Sequence, residues 1–150
     1  MRRSVLVFLV ALSVIAFSIS LALPAFDTNV KYMIERWVHE PSKSYRGFDV
    51  LILGWGSIFF GNISWLANVG YISALALVMQ KAQAAIPISI LAMLISLIPL
   101  SHPVIEKGEN GYYFYISNLN LGYYFWLGAI ALICVASLVQ IYEIDRESYS

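Results

Sequence analysis

Four long apolar stretches separated by short polar ones organise the chain: roughly Val5–Leu23, Val50–Met79, Ala84–Ser101 and Gly122–Tyr142. None has a Lys, Arg, Asp, Glu or His near its middle. At about 1.5 Å per helical residue, each is long enough, or nearly so, to cross a hydrocarbon layer of about 30 Å. The pattern predicts an all-α integral membrane protein, a four-transmembrane-helix bundle forming a single domain over residues 1–150.

The first stretch follows Arg2-Arg3 and ends at Pro24, which cannot continue a helical hydrogen-bond ladder. Ser20-Leu21-Ala22 has the small-residue look of a leader cleavage site, so a cleaved signal peptide and an uncleaved first span are both compatible with the residues. The apolar run is longer than the roughly 7–15 residues of a signal core, which favours an uncleaved span.

Between Phe26 and Gly47 the chain turns charged. Asp27 or Thr28 is placed to cap a short helix, with Val30, Met33, Ile34, Trp37 and Val38 on one face. Lys31 with Glu35, and Arg36 with Glu40, form opposite-charge pairs four apart on the other face. This predicts either an interfacial amphipathic helix, with Trp37 in the headgroup zone, or a cap packed over the helix bundle.

The second stretch, about thirty residues, would be about 45 Å long as one helix, so it must tilt, protrude or break. Gly54, Gly56, Gly61 and Asn62 are the cheapest places for a break. Gly54, Ser57, Gly61, Ser64 and Asn68 repeat at three, four, three, four, which on an unbroken helix paints one stripe of small and polar side chains. Spans in lipid associate through small residues and interhelical hydrogen bonds. This stripe, with Asn62 and Trp65 beside it, is therefore the predicted helix-packing surface. On that reading a leucine at Gly61 would push packed backbones apart. Gly70 and Ala74 form a further small-residue pair, and Asn62 and Asn68, about 240° apart on a wheel, would face different neighbours.

Gln80-Lys81-Ala82-Gln83 turns the chain back into the third span. Beyond it, Val104–Lys107 and Tyr112–Ile116 flank an Asn-Gly pair, a strong hairpin signal. A lone two-stranded hairpin is marginal in water and would have to lean on something. The fourth span opens with Tyr123, Tyr124, Phe125 and Trp126 and closes with Tyr142, with Tyr124 and Trp126 expected in an aromatic belt at the interface.

Composition agrees, with 60% hydrophobic and 12% charged residues lying outside the soluble globular range. The net charge of zero gives no basic patch and argues against nucleic acid as a partner. Arg2 and Arg3 abut the first span, which favours termini and the Lys81 turn in the cytoplasm and both longer loops outside. The single Cys134 excludes an internal disulfide and dithiol chemistry, and reads as a packing residue. His39 and His102 lie in polar segments without spaced partner ligands, so no metal or other cofactor is expected. No nucleophile with a base and no phosphate loop is recognisable, and no catalytic residue is assigned. Asp49 is placed to cap the start of the second helix.

Leu23-Pro24-Ala25-Phe26, Leu53-Gly54-Trp55-Gly56 and Trp65-Leu66-Ala67-Asn68 together resemble a pattern in small uncharacterised bacterial proteins with four spans. The resemblance covers the front half of the chain and implies a bacterial inner membrane, but no activity and no site residues.

The expectation is a non-enzymatic inner-membrane protein acting through helix-helix contact, as an accessory or scaffold subunit or an immunity-type protein. Its partners would be the lipid bilayer and another membrane protein or a second copy of itself. The alternative is a small channel or a lipid or small-molecule transporter, without an intramembrane carboxylate to couple protons. An enzyme acting on lipid headgroups would draw on Glu35, His39, Asp49 and His102.

Overall fold

The computed structural model describes residues 2–32, 43–101, 104–107 and 112–148, and it is mostly helical with a small sheet. Helix α1 runs Arg2–Ala22 and α6 runs Leu121–Ser148. Within them, Ser4–Ala22 and Leu121–Tyr142 are long and apolar enough to cross a membrane. The two pack antiparallel along their length, since Gly122 lies against the carbonyls of Leu23 and Pro24 while Ser13 reaches Ala129.

The second apolar stretch is not one helix. It divides into α2 (Gly47–Leu53), a 3-10 segment (Gly54–Phe60) and α3 (Leu66–Met79). Gly61 makes the break at φ +86, a left-handed conformation that glycine adopts without penalty. There Gly61 N–H donates to Ile58 O and Asn62 N–H to Ser57 O, the closing bonds of a helix C-terminus capped by glycine. A uniform 3.5-residue stripe over 54–68 requires an unbroken helix, so the expectation of a continuous packing stripe is corrected. At Gly61 a Cβ would meet nothing within 4 Å, so glycine is needed there for its backbone and not for close packing.

The close approach lies further along. Helix α4 (Ala85–Ser96), extended by the short α5 (Ile98–Ser101), folds back on α3. A Cβ on Gly70 would stand 2.8 Å from the Cβ of Ala92. Ala67, Ala74, Ala85, Ala92, Ala129 and Ala136 fill the core around this contact with Ile130, Ile133 and Tyr71. Alanine and glycine let the helix axes come close enough for backbone-level contact, which is how helices hold together where no hydrophobic drive acts between them.

The polar segments form a four-stranded sheet of order β2-β1-β4-β3, made of β1 (Pro24–Tyr32), β2 (Lys43–Arg46), β3 (Val104–Lys107) and β4 (Tyr112–Leu119). Strands β3 and β4 pair where the Asn-Gly signal places a hairpin. They are not alone, because β4 also pairs antiparallel with β1 from Phe26↔Leu119 to Tyr32↔Tyr112. This long-range pairing supplies the support that an isolated hairpin lacks.

Strand β1 also corrects the interfacial helix. Asp27 and Thr28 are strand residues and cap nothing, and pairing with β4 outcompetes a helical first turn. Val30 and Lys31 are also strand residues of β1, while the remainder of that helix from Met33, Trp37 included, lies outside the described residues, as do His39 and His102.

Asp27 sits where the sheet meets α6, and its carboxyl is held below the ordinary carboxylate range by hydrogen bonds from Asn120 first and Ser44 next, with partial desolvation opposing and Asn118 adding least.

Two outcomes are expected. Gly70→Leu should collapse the α3–α4 pairing and lower thermal stability in detergent far more than Gly61→Leu, whose cost is a left-handed backbone of about 1–2 kcal/mol; Gly128→Leu, with open space at its Cβ, should be nearly silent. Because the folded pKa of Asp27 lies below its unfolded one, its contribution is present above pH ~4 and disappears as pH falls through the folded value. Acid titration of melting temperature should accordingly show a low-pH loss that is smaller in Asp27→Asn.

Candidate functional site

A partly open cavity of about 90 Å³ lies where the end of α1, the inner side of the sheet, α2 and the starts of α3 and α6 converge. Leu21, Ala25, Val50, Leu51, Pro99 and Ile116 give it an apolar wall. Its polar residues are Ser20, Ser57, Asn62, Ser64 and Asn68, with the aromatic heads of Trp65, Tyr123 and Trp126.

The wall is knit by hydrogen bonds within the chain. Trp126 Nε1 donates to Asn68 Oδ1 at 2.8 Å, and Asn68 Nδ2 donates to Trp65 O at 3.2 Å. Trp65 Nε1 donates to Leu51 O at 2.9 Å, tying α3 back to α2. Asn62 Oδ1 accepts from Ser64 N at 3.0 Å and from Ser64 Oγ at 2.6 Å. Ser57 Oγ donates to Gly54 O at 2.7 Å and lies 3.1 Å from Asn62 O. Tyr123 OH donates to Ser96 O at 2.8 Å, linking α6 to α4. Each of these groups would be costly to desolvate alone and is engaged instead.

Of the seven residues expected to pack helices, Gly54, Ser57, Asn62, Ser64, Trp65 and Asn68 line this cavity, while Gly61 stands apart at the break. Asn62 and Asn68 meet the same cavity, contrary to the wheel, because the helix on which the wheel was drawn does not exist between them. Trp126 also departs from expectation. Its ring is half-buried and its N–H is spent on Asn68, so it is a structural member of the wall. Tyr124 next to it is exposed, at 53%. Asp49 caps α2 as expected, its Oδ2 accepting from Arg46 N at 3.0 Å.

A second polar cluster, unforeseen in the sequence, lies at mid-bundle. Ser13 Oγ lies 2.8 Å from Ala129 O and 3.1 Å from Tyr71 OH. A hydroxyl has one proton, so Tyr71 donates to Ser13 and Ser13 donates on to Ala129. Phe17 stacks on Tyr71 with ring centroids 4.6 Å apart. The available signal was a serine with no capping role amid an apolar run, which in lipid must find a partner. Further along α6, Gln140 is 3% exposed and its amide has no partner among the described residues.

Among the described residues, the lining contains no carboxylate, imidazole, amine or thiol. Among the described residues no three His, Cys, Asp or Glu side chains are grouped to hold a metal. An arrangement of apolar walls with engaged polar groups can accept an apolar guest and fix helices relative to one another; it offers no group to activate a nucleophile.

No protein-family model, curated protein or solved structure matches this chain.

Asn68→Leu should leave the Trp126 indole N–H buried without an acceptor and cost about 1–3 kcal/mol in detergent-solubilised stability. Pairing it with Trp126→Phe should cost less than the sum of the two single changes, a coupling measurable as a double-mutant cycle.

Proposed function

We propose that the chain is a four-span inner-membrane protein that works without catalysis, through contact between its helices and another membrane protein or a second copy of itself. In this reading α1 and α6 cross fully, while α3 and the α4–α5 arm, about 21 Å and about 25 Å long, complete the bundle as shorter spans. Helix α2 and the 3-10 segment stay on the sheet side, with Phe48, Ile52, Leu53, Trp55 and Phe59 exposed to the interface. Arg2, Arg3 and Lys81 mark the end away from the sheet as cytoplasmic.

The observation that carries the reading is how little of α1 the chain itself covers. Within the spans, 11% of α1's residues are buried against 33% of α6's. The uncovered side of α1 carries Ala11, Ser18 and Ala22, small enough to admit a second helix, among Val7, Phe8 and Ile15. Part of the interior supports the same conclusion, since Ser13 with Tyr71, Asn68 with Trp126 and Tyr123 with Ser96 are used to join the chain's own helices.

Cysteine crosslinking in native membranes tests this. With Cys134→Ala as background, a cysteine at Ala11 or Ser18 should give a discrete protein adduct, and one at Ile72 on α3 should not. Ala11→Trp should abolish partner capture while leaving the melting temperature unchanged, because this position is exposed. Absence of any protein adduct at α1 would refute the contact reading, and recovery of the chain from the aqueous fraction without detergent would refute the membrane reading beneath it.

A further inference from the structure

We propose that the cavity beneath the sheet is a binding site for one hydrocarbon chain of a bilayer lipid, a proposal that rests on the chain's being embedded in the membrane but not on its having a protein partner.

Three observations carry it. The cavity adjoins the sheet-side ends of both candidate spans, with Leu21 of α1 and Tyr123 of α6 in its wall, which on the membrane reading puts it within reach of lipid chains. Its polar side chains are already engaged. Asn68 uses both its oxygen and its nitrogen, and Trp65, Trp126 and Tyr123 have given their protons to Leu51 O, Asn68 and Ser96 O. A guest that needs hydrogen bonds gains little here, and a buried water needs two to four polar partners. The size also fits. Apolar cavities of about 150 Å³ take up benzene in preference to water, and about 90 Å³ suits the end of a chain with its remainder running out through the opening.

The cavity exists because α3 is short. It begins only at Leu66, and the residues before it form α2 and a 3-10 segment that do not continue it as one helix. Bending the chain at Gly61 leaves space at that depth, and Ala25 on the sheet does not fill it.

The test uses the full-length protein in phosphatidylcholine vesicles containing a small fraction of phosphatidylcholine with a diazirine at the end of one acyl chain. A second arm uses diazirine-bearing palmitate. After illumination, adducts are mapped by peptide mass spectrometry. Enrichment is expected on Leu21, Val50, Leu51 and Ile116 over Ile72 and Leu138, which are exposed on the outer faces of α3 and α6. Filling the space with Ala25→Phe should reduce the cavity adducts by roughly four- to fifteenfold, the change that one or two methylenes of lost burial produces, and leave those on Ile72 and Leu138 unchanged. Val50→Phe gives the same reading from the opposite wall should the first variant not fold. Signal from the lipid arm alone assigns the site to an esterified chain, and signal from both arms assigns it to hydrocarbon chains in general. Cavity labelling no higher than at Ile72, or unaffected by either filling variant, overturns the proposal. Failure of the membrane reading itself would show differently, as no labelling at Ile72 or Leu138 either.

Discussion

A backbone that leaves its helix inside an apolar environment must carry its own hydrogen-bond partners, and the rest of this architecture depends on how residues 54–68 meet that demand. Buried away from water, free N–H and C=O groups are costly. Here several of these groups are met locally. Asn62 N–H goes to Ser57 O, Ser64 N–H to the Asn62 side chain, and Leu66, Ala67 and Asn68 N–H to Ile63, Ser64 and Trp65 carbonyls. The carbonyl of Leu51 is taken by the Trp65 indole. The polar residues that interrupt this stretch are thus the means by which the chain bends without exposing backbone. Once α3 is restarted at Leu66, the positions of Gly70 and Asn68 follow, and with them the contacts to α4 and α6.

The sheet and the bundle are joined by the same economy. Gly47 N–H donates to Leu23 O, and Asn120 N–H donates to Ala25 O at 2.8 Å, so the start of α2 and the approach to α6 are both anchored where α1 gives way to β1. Thr28, buried within the sheet, donates to Lys43 O. Phe26 and Tyr45 pack across β1 and β2, and Lys43 rests 5.0 Å above the Tyr45 ring. These contacts set the sheet as a lid over the cavity and fix Ala25 and Ile116 in its wall.

The two long apolar helices, the pairing of β3 with β4 and the capping role of Asp49 were legible because each depends on a local signal: an apolar run, an Asn-Gly pair, a carboxylate at a helix start. The break was legible only as a set of cheap positions, Gly54, Gly56, Gly61 and Asn62, and the glycine that takes it could not be chosen from spacing. The stripe failed for that reason. A 3.5-residue repeat has meaning on a continuous helix, and once the helix ends the same residues converge instead of lining up. Strand β1 was missed because its helical face, from Val30 onward, looked as good locally as its strand alternative. The deciding partner, β4, is some ninety residues away, at Ile116 opposite Thr28. Long-range pairing of this kind is invisible to any window-based reading.

Depth along the bundle separates two uses of polar residues. At mid-bundle, Tyr71, Ser13 and Ala129 O form a complete relay in which every proton has an acceptor, so the cluster locks α1, α3 and α6 in register. Ser89, Ser96 and Ser137 each return their protons to a carbonyl of their own helix, at Ile86, Met93 and Ile133, and so can be buried against neighbours as small, neutral contacts. Gln140 follows neither pattern: it is buried, and its amide meets no donor or acceptor among the described residues. An apolar side chain of that shape would be cheaper to bury, so folding stability does not account for glutamine at this point. What stability does account for is the remainder: a bundle whose polar atoms are largely occupied with each other, and whose unmet contacts are apolar ones on α1 and in the cavity under the sheet.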